Sequence, residues 1–147
     1  MSRSAIEMSH YVVNYCIDHN IPISNLKLQK LLYYIQAAFL TNGREAFSDE
    51  IYPWRYGPVV ADVYQAFKMY VNRNIEDRFM DVYLDEKESE IADRVIESYR
   101  NYSPLQMVNK THVEGPWRNA YANKDSIITK DAIRDFYKRH EGLLYGN

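Results

Sequence analysis

The sequence is poor in cysteine, glycine and proline: one Cys, five Gly and five Pro in 147 residues. The lone thiol, Cys16, rules out an intrachain disulfide or a cysteine-rich zinc site. So few Gly and Pro exclude collagenous and low-complexity chains. Charge of either sign is not in excess, with 18 Lys and Arg against 20 Asp and Glu. The chain therefore lacks the overall basic surplus with which proteins offset nucleic-acid phosphate or anionic lipid. Long apolar runs are missing as well. The longest uncharged helical stretch, residues 31–43, has 13 residues, short of the roughly 20 that span a bilayer. The N-terminus MSRSAIEMSHYVV contains no signal-peptide core, and a cytoplasmic protein is expected.

Catalytic motifs are equally scarce. There is no glycine-rich phosphate loop, no H-E-x-x-H and no G-x-S-x-G. None of His10, His19, His112 and His140 pairs with another at helical spacing, so no metal or cofactor is expected. The one suggestive cluster is Thr111-His112-Val113-Glu114, where a histidine beside a carboxylate could serve as acid or base. The alternative is that His112 closes a turn between two short helices.

Aromatics are abundant. Fourteen tyrosines, five phenylalanines and two tryptophans could not profitably stay in water, so intrinsic disorder is disfavoured. A domain of this size buries roughly 68–70% of its unfolded surface and needs no metal to fold. Tyrosine suits interfaces, because it joins large contact area to a hydroxyl. Tyr33, Tyr34, Tyr52, Tyr56 and Tyr121 are the tyrosines least easily assigned to one core.

Helical signals run along the chain. Ser4 and Glu7 form a capping box for a helix over residues 5–19, with Val12, Val13, Cys16 and Ile17 inward. Ser24 caps a second helix over 25–41, which Gly43 closes. Its main apolar stripe is Leu28, Leu31, Leu32, Ile35 and Phe39, while Leu26, Lys30, Tyr33 and Ala37 fall on the opposite side. A helix apolar on two faces is either buried centrally or reserves one face for a partner. Residues 44–57 break the periodicity and read as a structured loop or short extended pair, with Pro58 as the first position of a third helix striped by Val60, Val63, Tyr64, Phe67 and Val71. Residues 72–85 are weakly patterned. Further helices are expected over 86–101, from Ser103-Pro104 carrying Leu105 and Val108, from Gly115-Pro116 and from Thr129. The expected fold is mostly α, a single compact domain over residues 1–147 with about six to seven helices and one irregular or short-β loop after the second.

The run Leu26-Lys27-Leu28-Gln29-Lys30-Leu31-Leu32-Tyr33-Tyr34 resembles the opening signature of the Panacea domain, the SocA-like antitoxin family. The resemblance continues through Trp54, Tyr56-Gly57-Pro58-Val59 and Tyr64, and closes with Leu105, Thr111-His112 and Pro116-Trp117, covering about residues 6–136. It implies a helical, non-enzymatic module that binds a protein toxin in a toxin–antitoxin or prophage setting. Neutralisation would be by direct contact or by presenting the toxin to a protease. The first helix begins almost at residue 4, so no N-terminal DNA-binding extension is expected.

Leu28, Gln29, Leu32, Trp54, Gly57, Pro58, Val59, Thr111, His112, Pro116 and Trp117 are then expected to be chiefly structural, with Trp54 and Trp117 anchoring the core around the loop. Partner contact is expected at Lys30, Tyr33, Tyr34 and Tyr56, with specificity also in loop residues 72–85. Two alternatives stand beside this reading: an enzyme or ligand-binding protein centred on His112 and Glu114, and a nucleic-acid-binding face made of Lys27, Lys30, Tyr33 and Tyr34.

Overall fold

Helix starts are set by side chains that accept the unpaired amides of each first turn. In the computed structural model, which describes residues 3–146, Ser4 and Glu7 make the capping box of α1 (Ala5–Asp18). Ser24 accepts the Lys27 amide at the start of α2 (Asn25–Thr41), and Gly43, at φ 80°, lets the chain leave it. The chain then enters a β-hairpin of β1 (Tyr52–Trp54) and β2 (Gly57–Val59), with Tyr52 opposite Val59 and Trp54 opposite Gly57. Next come α3 (Ala61–Ala66), a 3-10 turn at Lys68–Tyr70, and α4 (Glu86–Ser98), opened by an Asp85–Glu88 capping box. The Ser103–Gln106 box starts α5 (Pro104–Val113), followed by α6 (Gly115–Ala122), α7 (Lys130–Arg139) capped by Thr129, and a 3-10 turn at Glu141–Leu144. Mostly α with one small hairpin is the expected class.

Helix α2 is the axis. It packs against α1, α3, α4, α5, α7 and β2. Every residue of it is buried except Leu26 and Thr41. Its two apolar faces therefore serve one core, and the helix keeps no face for a partner. Cys16 is buried within the same core, and burial pushes its thiol up to about 12, so it stays protonated and unreactive.

Two local expectations are corrected. Pro58 is not the start of a helix: it sits in β2 opposite Pro53, and the helix begins three residues later at Ala61. The Val60 amide is held by Gln29 Oε1 at 2.9 Å, which keeps the chain extended past the hairpin. Val71 is exposed rather than inward. Val71 lies beyond the end of α3, at φ 58°, so the helical spacing that joined it to Phe67 does not reach it. Residues 72–85 form neither strand nor helix. They are stitched down by the Ile75 amide on the Ile23 carbonyl (2.7 Å) and by the Asn14 side chain on the Phe79 backbone, while Phe79 stacks on His10.

Candidate functional site

The chemistry-bearing residues separate into an internal set beneath the hairpin and an external set around a cleft beside it. Internally, α2 and the α5–α6 corner grip hairpin backbone. Lys30 Nζ donates to the Pro58 carbonyl at 3.2 Å, Gln29 Oε1 accepts the Val60 amide, and Trp117 Nε1 donates to the Trp54 carbonyl at 2.8 Å. Gly57 is needed where it stands. Its φ is +112°, and a Cβ there would lie 2.7 Å from Lys30 Cε and 3.0 Å from Thr111 Oγ1. Thr111 and Pro116 are buried, and His112 stacks on Trp117 at 4.0 Å.

Deeper in, Glu114 is 4% exposed and accepts hydrogen bonds from the Tyr34 hydroxyl (2.8 Å), the Tyr137 hydroxyl (2.6 Å) and Lys110 Nζ (2.8 Å). Tyr33 and Tyr137 share a further hydroxyl contact at 3.1 Å. Burial first, and the neighbouring tyrosines and Glu114 after it, hold the Tyr34 and Tyr137 hydroxyls far above the usual range, so they remain donors.

This geometry overturns most of the expected contact surface. Lys30, Tyr33 and Tyr34 are at most 1% exposed and cannot meet a partner; of the four only Tyr56, 61% exposed, is available. The nucleic-acid face fails for the same reason. Lys27 is buried and donates to the Tyr102 carbonyl at 2.7 Å. His112 and Glu114 do not form an acid–base pair. Both carboxylate oxygens are taken by Tyr34, Tyr137 and Lys110, whereas His112 lies flat on Trp117, and burial lowers its pKa. Trp117 is a core anchor as expected. Trp54 is not: at 38% exposed its ring reaches the surface, while its carbonyl is what the core holds.

Lys30 makes stability depend on pH. Burial lowers its amine from 10.5 to about 7. The unfolded chain then holds this proton up to the ordinary lysine range, whereas the folded chain releases it near neutrality. Between those values the unfolded state binds more protons, so stability rises with pH, by at most about 1.4 kcal/mol per unit. Lys30→Met is expected to flatten that rise. Denaturant titrations of both proteins from pH 7 to 9 measure it, and equal slopes would refute the assignment. Cys16 and the buried tyrosines act oppositely at still higher pH, equally in both proteins.

The external set lines a cleft of about 620 Å³ between the N-terminal end of α2, the hairpin turn and the segment after α3. Leu26, Trp54, Tyr56, Val59, Tyr64 and Val71 supply its apolar wall, with Trp54 edge-on to Tyr64 at 5.4 Å. Its volume falls in the range of roughly 300–1,000 Å³ usual for ligand sites. Sequence reasoning missed this cleft. The available signals were Leu26, stranded off the main stripe of α2, and the aromatics of the nonperiodic hairpin.

Fold and site together define a class: a mostly helical scaffold that spends its polar motif residues internally and presents an apolar cleft. Residues 28–118 match the family model described as antitoxin SocA-like, Panacea domain, and the chain belongs to that family. It is also 35% identical over 112 residues to Antitoxin SocA of Caulobacter vibrioides (strain NA1000 / CB15N), across 67% of this chain and 60% of that protein. The chain thus covers less than two thirds of that relative's length. No solved structure matches it. Among the described residues no helix is long and apolar enough to cross a membrane.

Proposed function

We propose that this chain is a cytoplasmic antitoxin, a single non-enzymatic domain that binds a protein toxin directly and blocks it through the cleft beside the hairpin. Membership of a family of SocA-like antitoxins carries this reading. The cleft supports it: Trp54, Tyr56, Leu26 and Val71 are large apolar side chains left exposed together, and such clusters mark interaction sites on soluble proteins. Tyr56 is thereby retained as a contact residue, joined by Trp54 in place of the buried trio on α2. Toxin–antitoxin or prophage surroundings are the setting this role requires, with the toxin encoded by a neighbouring gene.

Co-expression with the product of the neighbouring gene tests the reading. The gene product alone is expected to arrest growth, and this chain to restore it. Trp54→Ala and Tyr56→Ala should each weaken the complex by about 30-fold, since truncated interface anchors cost about 2 kcal/mol. Melting temperatures should barely move, because both side chains are exposed. A harmless neighbour, or persistent toxicity, would defeat the antitoxin reading. Rescue that disappears in a strain lacking the host proteases would assign the chain to protease delivery instead of direct blocking.

A further inference from the structure

The cleft's charge and hydrogen bonding say what kind of surface it fits. Its two charged lining residues are both cationic, Arg55 and Lys68, and no acidic residue lines it. This stands out in a chain of net charge −2. Neither cation joins an ion pair among the described residues: Arg55 lies over the Tyr56 ring at 5.6 Å, and both are exposed on the rim.

The polar groups of the floor, by contrast, are already engaged. Asn25 donates to the Tyr64 carbonyl (3.1 Å) and accepts from Gln29 (2.9 Å). Gln29 also holds the Val60 amide, and Ser24 Oγ accepts the Lys27 amide. A small polar ligand such as a nucleotide would find few directional partners on such a floor. An apolar surface flanked by carboxylates would find both of its needs met. Met69 and Leu105, next in sequence to the lining residues Lys68 and Pro104, are further exposed apolar side chains outside the cleft, which suits a chain segment longer than the cavity itself.

We propose that the cleft receives an acidic, apolar segment of the partner protein, with its large apolar side chains on Trp54, Tyr56 and Leu26 and its carboxylates on Arg55 and Lys68. The assignment rests on the antitoxin reading and specifies the chemistry of the toxin surface recognised. Charge complementarity of this kind fixes partner choice and speeds encounter.

Selection from a random peptide display library against the purified folded chain tests it without knowledge of the partner. Enriched peptides should combine Asp or Glu with Leu, Phe or Trp. A synthetic copy should bind more weakly as salt is raised. Affinity should drop at least tenfold with Trp54→Ala, and again with Arg55→Glu and Lys68→Glu together, each variant being checked by its melt. Should Trp54→Ala unfold the chain, Tyr56→Ala replaces it. The proposal is overturned by basic or uncharged winners, by no enrichment at all, or by acidic peptides indifferent to both sets of variants. If toxin neutralisation succeeds in co-expression while the selection fails, the antitoxin reading stands and the acidic segment falls. If neutralisation itself fails, the antitoxin reading falls whatever the peptides show.

Discussion

Glu114→Ala is expected to cost about 3–5 kcal/mol, because removing one partner of a buried charge pair leaves the other uncompensated. The 4%-exposed carboxylate accepts hydrogen bonds from Tyr34 of α2, Tyr137 of α7 and Lys110 of α5 and so ties three helices at one point. Its loss leaves the Tyr34 hydroxyl without its acceptor and the Lys110 ammonium, 4.3 Å from the centre of the Tyr34 ring, with its ion pair gone. For a chain of this size 1 kcal/mol moves the melting midpoint by about 3 °C, so a fall of about 10 °C or more is expected. Glu114→Gln keeps an acceptor for the tyrosines and should fall in between. Thermal and denaturant melts of the two variants check this ordering; an alanine variant within 1 kcal/mol of the parent would show that the network is dispensable.

Trp117→Ala carries the second large effect. Its indole is 6% exposed, sandwiched between His112 at 4.0 Å and Tyr121 at 4.6 Å, and it donates to the Trp54 carbonyl. Truncating a buried tryptophan costs about 3–5 kcal/mol, and here a hairpin carbonyl also loses its donor. Trp117→Phe keeps an aromatic ring in the site but gives up the hydrogen bond, worth about 1 kcal/mol, and part of the buried volume, so its loss should fall between the parent and the alanine variant. The contrast with Trp54→Ala is the sharper check. Two tryptophans of one motif should behave oppositely, Trp117 in stability and Trp54 in binding. Equal melting losses for both would place the Trp54 ring in the core after all.

The helices were legible because their signals are local. Ser4 with Glu7, Ser24, Ser103-Pro104 and Thr129 each satisfy amides within the next turn, and their helices start where the spacing predicts. What failed was burial at the ends of helical stripes. Val71 continues the period of Phe67 on paper, yet the helix has already ended at Ala66. Lys30, Tyr33 and Tyr34 read as surface because lysine and tyrosine carry polar ends. They are inside because distant residues complete them: Pro58 for Lys30, Tyr137 for Tyr33, Glu114 for Tyr34. Such partners, far off in sequence, leave no local pattern. The cleft was invisible for a related reason, being assembled from four separated segments.

The motif side chains Gln29, Lys30 and Trp117 all hold the hairpin by main-chain atoms: the Val60 amide and the carbonyls of Pro58 and Trp54. Main-chain atoms are the same whatever side chain they bear. At Trp54, Arg55 and Tyr56 the fold therefore asks for a backbone path and leaves the side chains open to exchange. Such a scaffold is evolvable in a particular sense. Under the proposed function, new toxins would be met by rewriting a few cleft letters while the grammar beneath them stays intact, and libraries randomised at those positions should return folded proteins at high frequency.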